Sequence, residues 1–159
     1  MTSALFTLTF LLAAPFWALM IVLPGWHWTA RIIASPLIVL PPVLIYLIIV
    51  LPVLPQVWTA VTTPDLAVLQ DLLGTPAGAA AAWAHFIAFD LFVGRWMYRD
   101  SRARGISGWL MGPVLLFTIL LAPLGLLGYF GLRAVPGLSD TRRSFAGGNG
   151  TAAVHRVAD

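Results

Sequence analysis

Four stretches of the chain are almost unbroken in apolar residues: 3–23, 32–54, 76–98 and 108–132. Polar residues gather between them and after the last. An apolar run of about 20 residues makes a helix roughly 30 Å long, the thickness of the hydrocarbon core of a bilayer. The pattern predicts an all-α integral membrane protein, a four-transmembrane-helix bundle over residues 1–133. Residues 134–159 are polar, contain Gly147, Gly148 and Gly150, show no period, and read as a disordered tail.

Each run carries its own punctuation. The first has no positive leader and no small-residue cleavage site after it, so it reads as a retained helix, ended by Pro24 and Gly25. The second contains Pro36, Pro41, Pro42 and Pro52. A proline removes a backbone donor and crowds the preceding turn, so a sharp kink is expected at Pro41–Pro42, forming the wall of a buried polar pocket. Between the second and third runs, Leu66, Leu69, Leu72 and Leu73 recur at helical spacing, with Asp65 and Asp71 on the other side. That spacing predicts a short helix, lying in the interface or standing outside the membrane. The third run opens with the small residues 77–82, which permit close helix contact. The fourth contains Pro113, Pro123, Gly125, Gly128 and Gly131, so its helix too is expected to bend.

Composition narrows the class. Of 159 residues, 60% are hydrophobic and 9% charged, and the mean hydropathy is +0.92. An average soluble protein has about 25% charged residues, so a soluble fold of this size could not cover its surface. The formal charge of +3 comes with no lysine, and its arginines flank apolar runs; they mark membrane topology and headgroup contact rather than nucleic acid. Trp26, Trp28, Trp58, Trp96 and Trp109 fall at the ends of the predicted spans, as an aromatic belt requires. With four spans, Arg31, Arg95, Arg99, Arg102 and Arg104 share one side and Arg133, Arg142 and Arg143 the other. The denser set points inward, which sets both termini outside. The bias to Ala, Pro, Gly and Arg without Lys fits a bacterial inner-membrane protein of a GC-rich genome.

Few residues are left to carry chemistry. Cysteine, lysine and glutamate are absent, which removes thiolate chemistry and Schiff bases. His85 and Asp90 lie near the middle of the third run. An Asp at that depth costs roughly 2.5–3.5 kcal/mol on insertion scales, and such residues usually mark a functional centre. Five residues set the two about 140° apart on a helix. They can therefore flank one wedge-shaped pocket as an acid–base pair, or face different neighbours. In the first case Asp90 is the acid, since hydrocarbon disfavours its charged form. On the structural reading, Asp90 instead hydrogen-bonds the carbonyls freed by the prolines and His85 bonds a backbone oxygen. Trp83 shares the Asp90 stripe, Tyr46 and Thr118 lie at mid-depth on the second and fourth runs, and Arg95 is nearby; these four are the candidate substrate contacts. His27, His85 and His155 are too dispersed for a metal site, and no cofactor fingerprint appears.

The string Trp83-x-His85-x4-Asp90-Leu91-Phe92, followed by Gly94, Arg95 and Asp100 and later by Pro123-x-Gly125, resembles the abscisic-acid-deficient-four-like membrane proteins. The likeness covers residues 76–133. Plant members of that family are linked to neoxanthin formation from violaxanthin, an epoxide-to-allene isomerisation. The resemblance implies a cofactor-free, carotenoid-modifying protein, an isomerase of an epoxidised or cyclic carotenoid, with His85 and Asp90 as its polar centre and Arg95 and Asp100 next. Its expected partners are membrane lipid and an apolar isoprenoid or carotenoid ligand, with an oligomer or a larger membrane complex as a further association. The alternative is a non-catalytic bundle that binds pigment or lipid, or an accessory subunit.

Overall fold

A computed structural model describes residues 1–135, so the predicted tail lies outside the described residues. Every regular element among them is helical. Helix α1 covers Thr2–Val22 and α2 covers His27–Ala34. A 3₁₀ turn at Pro36–Val39, α3 at Leu40–Val50, a second 3₁₀ turn at Leu51–Val53 and α4 at Leu54–Thr62 then follow without a gap. Helix α5 is Leu66–Gly74, α6 is Pro76–Ala103, α7 is Gly108–Leu120 and α8 is Ala122–Ala134.

Three helical stretches are long and apolar enough to cross a bilayer: Thr2–Val22, Pro36–Thr62 and Pro76–Ala103. The middle one starts later and runs further than the predicted 32–54. Ser35 accepts a hydrogen bond from the Leu37 N–H, and Pro36 sits in the first turn, where a missing donor costs nothing. Pro41–Pro42, Pro52 and Pro55 likewise fall in the first turns of successive segments. The expected sharp kink is thus spread over two 3₁₀ turns. The predicted polar wall there is not formed: the cleft beside Val39 and Val43 is closed by Ala88, Phe89 and Phe92 and is wholly apolar.

Helix α6 is the axis of the bundle. It runs parallel to α1, with the Phe6 ring stacked on Trp83 at 5.0 Å near one end and the Tyr98 hydroxyl donating to the Pro24 carbonyl at 2.8 Å near the other. Between them Gly94 faces Trp17, and a Cβ there would overlap the indole. In lipid, such close packing and hydrogen bonding hold helices together in place of hydrophobic burial. Arg95, buried, donates from Nε to the carbonyls of Ile33 (2.9 Å) and Ser35 (3.2 Å) and from a terminal nitrogen to Ala34 (2.5 Å). It satisfies the orphan carbonyls at the end of α2, where a cation also complements the helix dipole. The helix ends at Gly105, φ +72°, with Ile106 N–H bonded to Ser101 O and Gly105 N–H to Arg102 O. This is a Schellman cap, which explains a helix five residues longer than the predicted 98.

The short helix expected after the second span is present as α5, capped by Asp65, whose carboxylate accepts from Ala67 and Val68 N–H. It buries no residue fully, in keeping with an interfacial position.

The largest departure from expectation is the fourth apolar run, 108–132, which does not form one helix. It breaks at Leu121 (φ −149°, ψ 76°) into α7 and α8, of 13 residues each. Pro123 offers no N–H to the Ile119 carbonyl and its ring would clash there, so the helix cannot continue. Gly125 then lets α8 fold back on α7: a Cβ at that position would overlap the backbone and hydroxyl of Thr118. Gly108, at the start of α7, abuts Pro24. At the far end of α8, Tyr129 and Arg133 reach Asp100 on α6. The run is therefore a helical hairpin whose two ends lie at the same end of the bundle. Arg133 consequently joins Arg31, Arg95, Arg99, Arg102 and Arg104, instead of lying opposite them as a fourth span would require.

Candidate functional site

The hairpin turn brings its residues against the middle of α6. Ile119–Pro123 and Leu126 face Trp83, Phe86, Phe89, Asp90 and Val93 across a cleft of about 560 Å³ that opens sideways, towards what would be lipid. Apolar side chains form nearly all of its wall. Asp90, half-buried, is the one ionisable group in it, and no described residue donates a hydrogen bond or forms an ion pair with its carboxylate. The Trp83 indole N–H, two turns earlier on the same face, is buried and has no acceptor among the described residues. The broken turn adds the Ile119 carbonyl, deprived of its helical donor by Pro123. Trp83 and Ile119 thus line the same apolar space as Asp90.

The other candidate residues lie elsewhere. His85 is exposed on the neighbouring face, its ring stacked on Phe89 at 4.7 Å and 5.9 Å from the Tyr46 ring, outside the cleft. Phe86 and Phe89 separate it from Asp90, so of the two arrangements open from spacing, different neighbours is the one adopted. Thr118 is buried inside the hairpin and donates to the Val114 carbonyl at 2.8 Å. Arg95 is occupied by the α2 carbonyls. Only Trp83 and Asp90 of the six line the cleft.

A second polar cluster was not anticipated as such. Asp100 Oδ2 accepts from the Tyr129 hydroxyl at 2.5 Å and Arg104 Nε at 2.8 Å, with Arg133 Nε at 3.5 Å. Trp96 meets Tyr129 edge-on, and the Arg133 guanidinium lies 5.8 Å from the Trp96 ring centre. The resemblance sets Asp100 next to the polar centre, but nothing in the sequence connects it with Tyr129. Joining them needs the hairpin, whose signal was Pro123 followed by Gly125. The cluster clamps α8 to α6 and so fixes the depth of the turn beside Asp90.

Three helical stretches long and apolar enough to cross a bilayer, with a broken apolar hairpin beside them, define a helical membrane-embedded protein. The particular family follows from the sequence as a whole: residues 4–129 match the family described as ABA DEFICIENT 4-like (ABA4-like), and the chain belongs to it. No curated protein and no solved structure matches the chain.

Proposed function

We propose that the protein modifies a carotenoid-type polyene inside the bilayer, with Asp90 as its acid–base residue. The observation that carries this is the Asp90 carboxylate standing without a partner in an apolar, laterally open cleft. Such a group is costly to insert and is retained where it acts on something. Membership of the ABA4-like family supports a carotenoid ligand. The polyene enters between α6 and the hairpin, lies along Phe86 and Phe89, and presents its oxygen function to Asp90. Protonated Asp90 delivers its proton to an epoxide oxygen as the C–O bond breaks, and the carboxylate then removes a proton from the adjoining carbon. Oxygen gains one hydrogen and carbon loses one, so the product is an isomer and Asp90 returns to its first state. His85, with Tyr46, extends the aromatic shelf on which the polyene lies. Trp83 and the Ile119 carbonyl orient the oxygen.

The same proposal carries a topology in the bacterial inner membrane. Three helices span, and the α7–α8 hairpin enters and leaves by the arginine-bearing face. The positive-inside rule then puts that face in the cytoplasm, with the N-terminus outside and Ala134 inside. The pairing of Arg133 with Asp100 supports this arrangement over four spans with both termini outside.

Pigment analysis in carotenoid-accumulating bacteria tests the chemistry. A new carotenoid isomer should appear with the wild type and vanish with Asp90→Asn, while His85→Ala retains part of the activity. Unchanged pigment profiles with carotenoid co-purifying would favour the second reading, a non-catalytic binder or assembly subunit, which the separation of His85 from Asp90 also suits. Neither product nor bound pigment would overturn both.

A further inference from the structure

On the other flank of α7, away from Asp90, a groove of about 820 Å³ lies between the end of α1 and the first three turns of α7. It shares no residue with the Asp90 cleft. At its mouth stand Arg102 and Trp109, the latter 91% exposed. Its floor is apolar, from Pro24 to Gly112, Pro113 and Leu116, and reaches roughly 10 Å from Trp109 towards the bundle centre at 1.5 Å per residue. Pro113 offers no N–H to the Trp109 carbonyl, so an acceptor also remains at the mouth. At Gly112 an added Cβ would meet nothing within 4 Å, so the groove is open at its centre.

Charge decides what fits. Asp100 engages Arg104 and Arg133, and the α2 carbonyls engage Arg95. Arg102 has no acidic partner among the described residues, and Asp100 is the one described acid at this end against six arginines. A cation and an amphipathic ring at the headgroup end of an apolar channel match an anionic lipid: phosphate at the guanidinium, an indole N–H beside it, and an acyl chain below. A neutral isoprenoid would leave Arg102 unmatched.

We propose that this groove is a binding site for one anionic phospholipid, its phosphate held by Arg102 and Trp109 and one acyl chain lying along Pro24, Gly112 and Leu116. Native mass spectrometry of the purified full chain, titrated with phosphatidylglycerol or with phosphatidylcholine of the same chains, tests it. The wild type should retain one phosphatidylglycerol at about fivefold lower concentration than phosphatidylcholine, the advantage one arginine gives near an anionic headgroup. Arg102→Gln should erase that preference and Arg102→Lys should keep it. Gly112→Leu, which fills open space without a clash, should lower occupancy of both lipids. Equal retention of the two lipids by the wild type overturns the proposal, as does an undiminished preference in Arg102→Gln. Full phosphatidylglycerol occupancy in Gly112→Leu would place the lipid outside the groove, and a groove-dependent dimer would assign it to a second copy; either result also overturns it.

Discussion

Removing the Tyr129 hydroxyl should loosen the hairpin without unfolding the bundle. Tyr129 is fully buried, and its hydroxyl donates to Asp100 Oδ2 at 2.5 Å. Hydrogen bonds to charged groups are worth about 1.5–3 kcal/mol, and leaving a buried charge without any partner costs more. Tyr129→Phe does not create that second cost, because the same oxygen still accepts from Arg104 and faces Arg133. The low end applies, about 1.5–2 kcal/mol, or about 10–30-fold in the population of an opened hairpin. Hydrogen–deuterium exchange of the protein in nanodiscs reads this directly. Amides of residues 122–134 should exchange about 10–30-fold faster in Tyr129→Phe, with those of α1 unchanged. Arg104→Gln removes the solvent-side partner of the same carboxylate, and a screened i,i+4 pair should change the rate less than about threefold. If Tyr129→Phe exchanges like the wild type, or if α1 accelerates equally, the cluster is not a local clamp and the argument from it fails.

The chain lacks cysteine, so single-cysteine variants read its topology without background. In spheroplasts a membrane-impermeant maleimide should label Asp71→Cys, but label Ser107→Cys and Val135→Cys only after lysis; labelling of Val135 together with Asp71 would restore the fourth span. Gly94→Leu should destabilise the α1–α6 contact by about 1–3 kcal/mol or more, because the new side chain must displace the Trp17 indole. Thermal unfolding in detergent checks that loss, and Trp17→Leu in the same chain should recover part of it.

The first three apolar runs were legible because length and hydropathy decide them, and neither depends on neighbours. The short helix α5 was legible from leucine spacing, whereas its cap at Asp65 came only with the structure. The boundaries moved where local chemistry overrode hydropathy: Ser35–Pro36 starts a helix inside an apolar run, and Gly105 ends one inside a polar stretch. The hairpin was not legible from hydropathy, since 25 apolar residues satisfy the criterion for a span whether or not they turn back. Pro123 announces a break, but only the room at Gly125 and the distant Asp100 turn that break into a reversal. Asp90 was singled out by its depth. Its separation from His85 was left open by their 140° offset, and neighbouring helices had to decide whether one pocket spanned it.

The hairpin also gives the molecule unequal ends. At the Phe6 end, beyond the hairpin turn, the three long helical stretches are joined by the short α5 alone, whereas beside Asp100 the section takes in α2, α7 and α8. The bundle is therefore a wedge, broad in the arginine-bearing monolayer and narrow in the other. A wedge relieves lateral stress where the membrane bends to enlarge its broad side, so the protein should sort by curvature, gathering where the arginine-bearing leaflet is convex.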